Sequence, residues 1–141
     1  MPDRLSRVVI VHTAEQVRAA LEAASEPYTP IALQSAAGAN AYAGSLYLLH
    51  MFAQVKADFP KTEATFILDC GDSGADAIAA MEMGHSHIRT SAPDTLRTKL
   101  EDIAKQYKIT LVTSPFDALD LHRVRDAKAA CKKWLVEKIA G

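Results

Sequence analysis

Phe66-Ile67-Leu68-Asp69-Cys70-Gly71-Asp72-Ser73-Gly74-Ala75-Asp76 decides how this chain folds. Three apolar residues run directly into a polar turn. The turn ends in Ser73 followed three residues later by Asp76, a helix-start signature. A Ser or Thr at the N-cap accepts a hydrogen bond from an orphan N–H of the first turn, and an acid or amide three residues on bonds back. The same strand-to-cap pattern recurs at Val8 to Val11 before Thr13-Ala14-Glu15-Gln16, at Ile88 before Ser91-Ala92-Pro93-Asp94, and at Ile109 to Val112 before Ser114-Pro115-Phe116-Asp117. Strand, cap and helix in repetition mean a parallel α/β sheet. Every cap then lies at the carboxyl ends of the strands, the edge where such sheets bind ligands.

Working outward, the spacing predicts five strand–helix units in a single domain over residues 1–141. The strands are expected near Arg7 to Val11, Ile31 to Gln34, Thr65 to Leu68, His87 to Thr90 and Ile109 to Thr113. The first helix, from Ala14 to Ser25, should bury Val17, Leu21 and Ala24. The second should run to about Asp58 with Leu46, Leu49 and Ala53 inward, and Pro60 should stop it. A short third helix, Ala75 to Met83, is followed by Gly84 as its natural cap. The fourth, Pro93 to Tyr107, should bury Leu96, Leu100, Ile103 and Tyr107. The last should reach the C-terminus with Val124, Cys131, Leu135 and Ile139 facing in.

The net charge of −1, without a basic stripe, argues against nucleic acid as a partner. No apolar run approaches the roughly 20 residues that cross a bilayer. Cys70 and Cys131 are far apart and form no C-x-x-C pair, so they read as reduced thiols of a cytoplasmic protein.

The carboxyl edge gathers His12 and Thr13, Gln34 and Ser35, Asp69, Cys70 and Asp72, Arg89, Thr90 and Ser91, then Thr113 and Ser114. Helix N-termini there suit a phosphate or carboxylate. Gly38 and Gly71 allow close backbone approach to a ligand or simply serve turns. Asp69, at the lip of a buried strand, is placed for proton transfer or for bonding the N–H groups of its own loop. Cys70 reads as a buried small residue or as a metal thiolate. Arg89 clamps an anion if it reaches this edge. His85 and His87 precede the fourth strand at the opposite edge, which favours a structural or surface role. His50 and His122 are expected on helices, and Asp120 carries no assignment. Zinc needs three or four ligands, and no spacing here enforces them. No nucleophile elbow, P-loop or G-x-G-x-x-G is present. A receiver-type interaction module is poorly matched: His12-Thr13 lacks the acids, and Thr113-Ser114-Pro115 lacks the lysine.

Glu15-Gln16-Val17-Arg18-Ala19-Ala20-Leu21-Glu22-Ala23-Ala24, then Pro30-Ile31-Ala32-Leu33-Gln34-Ser35 and Gly38-Ala39-Asn40-Ala41-Tyr42-Ala43-Gly44, resemble the opening of class II, metal-dependent fructose-bisphosphate-type aldolases. That family's third strand ends in H-L-D-H-G, where this chain has Ile67-Leu68-Asp69-Cys70-Gly71. Ala77 to Ser91 also follows the family's pattern. The resemblance covers about residues 14 to 91. It implies that Asp69 matches the family's catalytic proton donor and Ser35 a serine at the substrate pocket. It also implies that Cys70 and Ile67 replace two histidines, Cys70 standing at a metal-ligand position.

A full (β/α) barrel needs about 250 residues, so this chain supplies about five of eight units, and zinc is not expected from one chain. Two architectures follow. One is a five-stranded flavodoxin-like sheet with helices on both faces. The alternative is a curved partial barrel. Open strand edges favour a homodimer in either case. The expected function is binding of a small anionic metabolite by a noncatalytic or regulatory domain, at Ser35, Gly38, Gly71, Asp72, Arg89 and Ser91. The alternative is a lyase or isomerase completed by a second subunit, with Asp69 as acid/base and Cys70 holding zinc.

Overall fold

The computed structural model of the protein describes residues 7–26, 28–39, 44–113 and 117–140. Its elements alternate as expected: β1 (Val8–Val11), α1 (Ala14–Ser25), β2 (Ile31–Ser35), α2 (Ser45–Lys56), β3 (Ala64–Asp69), α3 (Gly74–Met83), β4 (His87–Arg89), α4 (Asp94–Tyr107) and β5 (Thr110–Val112). The ending departs from expectation. β5 is followed by a sixth strand, β6 (Ala118–Asp120), before α5 (Ala127–Ala140). The sheet is therefore six-stranded, in the order β5-β4-β3-β2-β1-β6, with every pairing parallel. Ser114, offered from sequence as a helix cap, lies outside the described residues.

This order selects between the two expected architectures. A flavodoxin-like sheet reverses direction along its strand order. Here β1 to β5 advance one neighbour at a time, and right-handed crossovers then put every helix on one face. One core joins those helices to Val9, Leu33, Leu68 and Ile88, all fully buried. The opposite face has its own cluster, Val8, Ala32, Ile67 and Val112, with Ala118 packed against it. The helices thus form one layer, not two, and the sheet curls as a partial barrel, open between β5 and β6.

The curl is enforced by chain length. In a flat sheet the outer strands would stand about 24 Å apart, five spacings of about 4.8 Å. Fully extended, the six steps from Val112 to Ala118 reach about 20 Å. They must also return from the carboxyl end of β5 to the amino end of β6, because both strands run parallel. Only a sheet that brings its edges toward each other permits this link.

Alternation sorts the strand residues by face. Val8, Ala32, Ile67 and Val112 define the concave side, so Asp69, Arg89 and Asp120 face that way too. Val11, Ser35, Phe66 and Cys70 face the helices.

Local signals hold where they are local. Thr13 Oγ1 accepts the Gln16 N–H and Ser73 Oγ accepts the Asp76 N–H, each at 3.1 Å. α1 buries Val17, Leu21 and Ala24 as its spacing requires. Asp126 Oδ1 accepts the Ala129 N–H and starts α5, which buries Cys131 and Leu135. Ser91 is not the cap of α4. Pro93 holds that position in extended geometry, and the Ser91 N–H is spent on the Gly71 carbonyl at 2.8 Å. The inward face of α2 is Leu48 and Val55, with Met51 and Phe52 beside them, whereas Leu46 and Ala53 are exposed. On α4, Leu100 is buried, Leu96 and Ile103 pack at its flanks, and Tyr107 lies exposed.

His85 is structural. It is 1% exposed, and its Nε2–H donates to the Ser45 carbonyl at 2.7 Å, while Nδ1 is buried without a partner. Burial lowers its pKa below the ordinary 6.5, only partly offset by the Ser45 bond. The folded state therefore binds fewer protons than the unfolded chain below about pH 6.5, and the His85 contribution is lost as pH falls through that range. Melting temperature should decline between neutral and mildly acidic pH in the native protein, with a shallower slope in His85→Gln. Equal slopes in the two proteins would show that His85 is not kept neutral.

Candidate functional site

The carboxyl ends of β3 and β4 carry a tightly bonded corner. Asp69 is the last residue of β3, and its Cα partner is Arg89, the last of β4. Both lie on the concave side. The Asp69 N–H donates to Ser35 Oγ at 2.9 Å, which ties β3 to the end of β2. The Asp69 carboxylate bends back over its own turn, Oδ1 accepting the Gly71 N–H at 2.9 Å. Such side-chain-closed turns are what Asp offers after a strand. Gly71 takes φ +58°, and Gly38 takes +81°. A Cβ at either would meet open space, so backbone conformation and not close packing demands glycine at both.

The next turn is laced to this one. The Cys70 N–H donates to the Arg89 carbonyl at 2.9 Å, and the Gly71 carbonyl accepts both the Ser91 N–H and, at 3.3 Å, the Thr90 hydroxyl. Thr90 Oγ1 in turn accepts the Ala92 N–H at 3.1 Å. Ser35, Asp69, Gly71, Arg89 and Ser91, singled out from sequence, thus come together at one place on the rim. Asp72 is exposed in the same turn. Gly38 is exposed in the loop after β2, and no hydrogen bond among the described residues joins it to the corner.

Cys70 turns the other way. It packs into the core between sheet and helices beside Phe66 and Leu68. Burial, then the nearby charges of Asp76 and Asp69, push its thiol up to about 12. A metal needs the thiolate, and this thiol keeps its proton at neutral pH. Ile67 sits fully buried in the concave cluster and offers no donor atom. Among the described residues no group of three or more His, Cys, Asp or Glu side chains is placed to hold a metal ion. The residues present do not fit a zinc centre of the kind the resemblance brings with it.

A second polar group formed at the rim without a signal in the sequence. His12, just past β1, and Asp120, the end of β6, are 108 positions apart in the chain, yet Nε2 of His12 meets Oδ1 of Asp120 at 2.6 Å. The His122 N–H donates to the same oxygen at 2.9 Å, and the two imidazoles lie 5.1 Å apart. The Gln16 side chain braces the pair, accepting the His12 N–H at 2.7 Å and donating to the Leu121 carbonyl at 2.9 Å. Burial raises the Asp120 carboxyl, but the bonds from His12 and His122 and the charge of both rings outweigh it and leave its pKa lowered. His122 sits in the turn after β6, not on a helix. β6 is only three residues long, and neither strand pattern nor cap marks it.

No protein-family model matches the chain. Over 78 residues, 55% of its length, it is 36% identical to a fructose-bisphosphate aldolase of Cupriavidus necator, covering 23% of that protein. The same length is 35% identical to the fructose-bisphosphate aldolase of Xanthobacter flavus, covering 22% of it. It is 30% identical to the class 2 enzyme of a Synechocystis species, again covering 22%. The match is thus partial and class II aldolase-like, and spans less than a quarter of each relative. Among the described residues no helix is long and apolar enough to cross a membrane.

Both thiols are free and buried, and Cys131 is also pushed up to about 12. A chromogenic disulfide reagent at mildly alkaline pH should find no reactive thiol in the folded protein and both after unfolding. Rapid reaction of Cys70 in the folded state would place its sulfur on the rim instead.

Proposed function

We propose that this chain binds a small anionic metabolite at the carboxyl rim of its concave face, as a noncatalytic or regulatory domain of aldolase-like ancestry. The observation that carries the reading is the pairing of Asp69 with Arg89 on neighbouring strand ends. A guanidinium takes phosphate or carboxylate oxygens in a planar fork. A carboxylate on the neighbouring strand end accepts hydroxyl protons. The pair suits a polyhydroxylated anion, and a sugar phosphate is the first candidate, since the similar proteins are named for fructose bisphosphate. Ser35 holds the Asp69 backbone, and the bonds around Gly71 fix the corner, so the pair is presented by rigid elements and not by a free loop.

The noncatalytic part of the reading rests on the two positions that depart from the family's pattern. Cys70 is a protonated thiol in the helix-side core, and Ile67 fills the concave core. Aldol cleavage assisted by a metal has no ligand set in these residues.

Thermal-shift titration against sugar phosphates and small carboxylates tests the proposal. At least one should raise the melting temperature of the native protein in a saturable way, and Arg89→Met should abolish the shift. A flat response across the panel, or a shift retained in full by Arg89→Met, would sink it. The proposal includes self-association of a cytoplasmic protein through the unpaired edges of β5 and β6, since open edges recruit further strands. Light scattering on the eluting protein should give twice the 15.3 kDa chain mass, and the single-chain mass would rule the dimer out.

A further inference from the structure

A cleft of about 380 Å³ opens on the helix side of the sheet at its carboxyl edge. Its body is apolar: Val11 and Phe66 from the sheet, and Leu48 and Met51 from α2. Its polar side chains among the described residues are His12, Thr13, Ser35 and the largely exposed Tyr47. An apolar cavity with a small set of convergent polar groups is the usual form of a small-molecule site. The cleft lies across the sheet from the Asp69–Arg89 pair, because Val11, Ser35 and Phe66 alternate onto the opposite face. It does not depend on the rim reading given above.

The hydrogen-bonding state of His12, Thr13 and Ser35 specifies a ligand. In the neutral ring, His12 Nε2–H donates to Asp120 and Nδ1 is left as an acceptor. Ser35 Oγ already accepts the Asp69 N–H and Thr13 Oγ1 the Gln16 N–H, so each hydroxyl retains its proton to donate. Among the described residues neither hydroxyl donates to another protein group. Ser35 and Thr13 thus offer the cleft two donors, and His12 one acceptor, beside an apolar body. A carbonyl oxygen satisfies the donors, and a neighbouring hydroxyl satisfies the acceptor.

We propose that this cleft is a second binding site, for a small hydroxycarbonyl compound with an aromatic or branched apolar body. The body lies against Phe66, Leu48 and Met51. The carbonyl accepts from Ser35 and Thr13, and the hydroxyl donates to His12 Nδ1. Asp120 is a positioning residue: it fixes the imidazole tautomer and the ring plane from β6, while His12 belongs to the chain past β1. The two edges of the cleft's polar end are therefore joined only when β6 has docked beside β1.

The test titrates the full chain with 2-hydroxyacetophenone, and with acetophenone as the probe lacking the hydroxyl, followed by amide chemical shifts. Saturable shifts are expected at His12, Ser35 and Met51, with acetophenone weaker by tenfold or more. Met51→Trp fills the slot and His12→Phe removes the acceptor; each should weaken binding at least tenfold. Asp120→Asn should erase the preference for the hydroxylated probe while leaving acetophenone binding unchanged. Arg89→Met should alter none of this, which separates failure here from failure of the rim reading. Absence of saturable shifts, equal binding of the two probes, or undiminished binding in folded Met51→Trp would each overturn the proposal. Should one variant not fold, the comparison of probes on the native protein decides alone.

Discussion

Six peptide steps join the end of β5 to the start of β6, and these strands occupy opposite ends of the sheet order. No flat sheet of six parallel strands can be closed by so short a link. Everything distinctive about the molecule follows from that restriction. The sheet must curl, so Val112 reaches the cluster of Val8, Ala32 and Ile67 on the inner face. The helices must share the outer face. β6 must dock beside β1, which sets Asp120 against His12. Side-chain packing then makes the curl stable: burying a residue such as Ile67 or Leu33 contributes about 1.5–3 kcal/mol relative to leaving it in water.

The curvature also divides the carboxyl edge into two chemically distinct places. On the inner side the ends of β3 and β4 carry an aspartate and an arginine at paired positions. On the helix side the ends of β1 and β2 bring hydroxyls and an imidazole to the mouth of an apolar slot. Ser35 touches both, since its side chain lines the slot while it holds the backbone of Asp69. A partial barrel can separate its polar groups in this way because residues alternate across each strand, and one residue's offset changes the face.

What the sequence disclosed was what is encoded locally. The caps at Thr13 and Ser73 were legible because the acceptor and its N–H lie three residues apart. Ser91 has the same spacing and fails, because Pro93 takes the cap position and the neighbouring turn claims the Ser91 N–H. Asp69 was legible as a strand-lip acid because three apolar residues lead straight to it. The fate of Cys70 was readable in principle: counting by twos from Phe66 and Leu68 sends it to the helix side, away from Asp69. The sixth strand was not readable. Ala118-Leu119-Asp120 is too short to show a period, and it is held by β1, more than a hundred residues earlier. The layering of the helices was hidden for the same reason, since it depends on strand order, and strand order on the reach of one link.

The partial likeness to class II aldolases fits this picture. The resemblance in sequence, over about residues 14 to 91, takes in α1 to β4 and the aspartate at the end of β3. That stretch includes neither β6 nor the dyad that β6 completes. The most direct test of the account is a methyl NOE spectrum of the protein labelled at Val, Ile and Ala. The account predicts cross-peaks from the Val112 methyls into the cluster formed by Val8, Ala32, Ile67 and Ala118. Val112 methyls that contact only residues of β4 and its own strand would mean a flat sheet, and the curled architecture would be wrong.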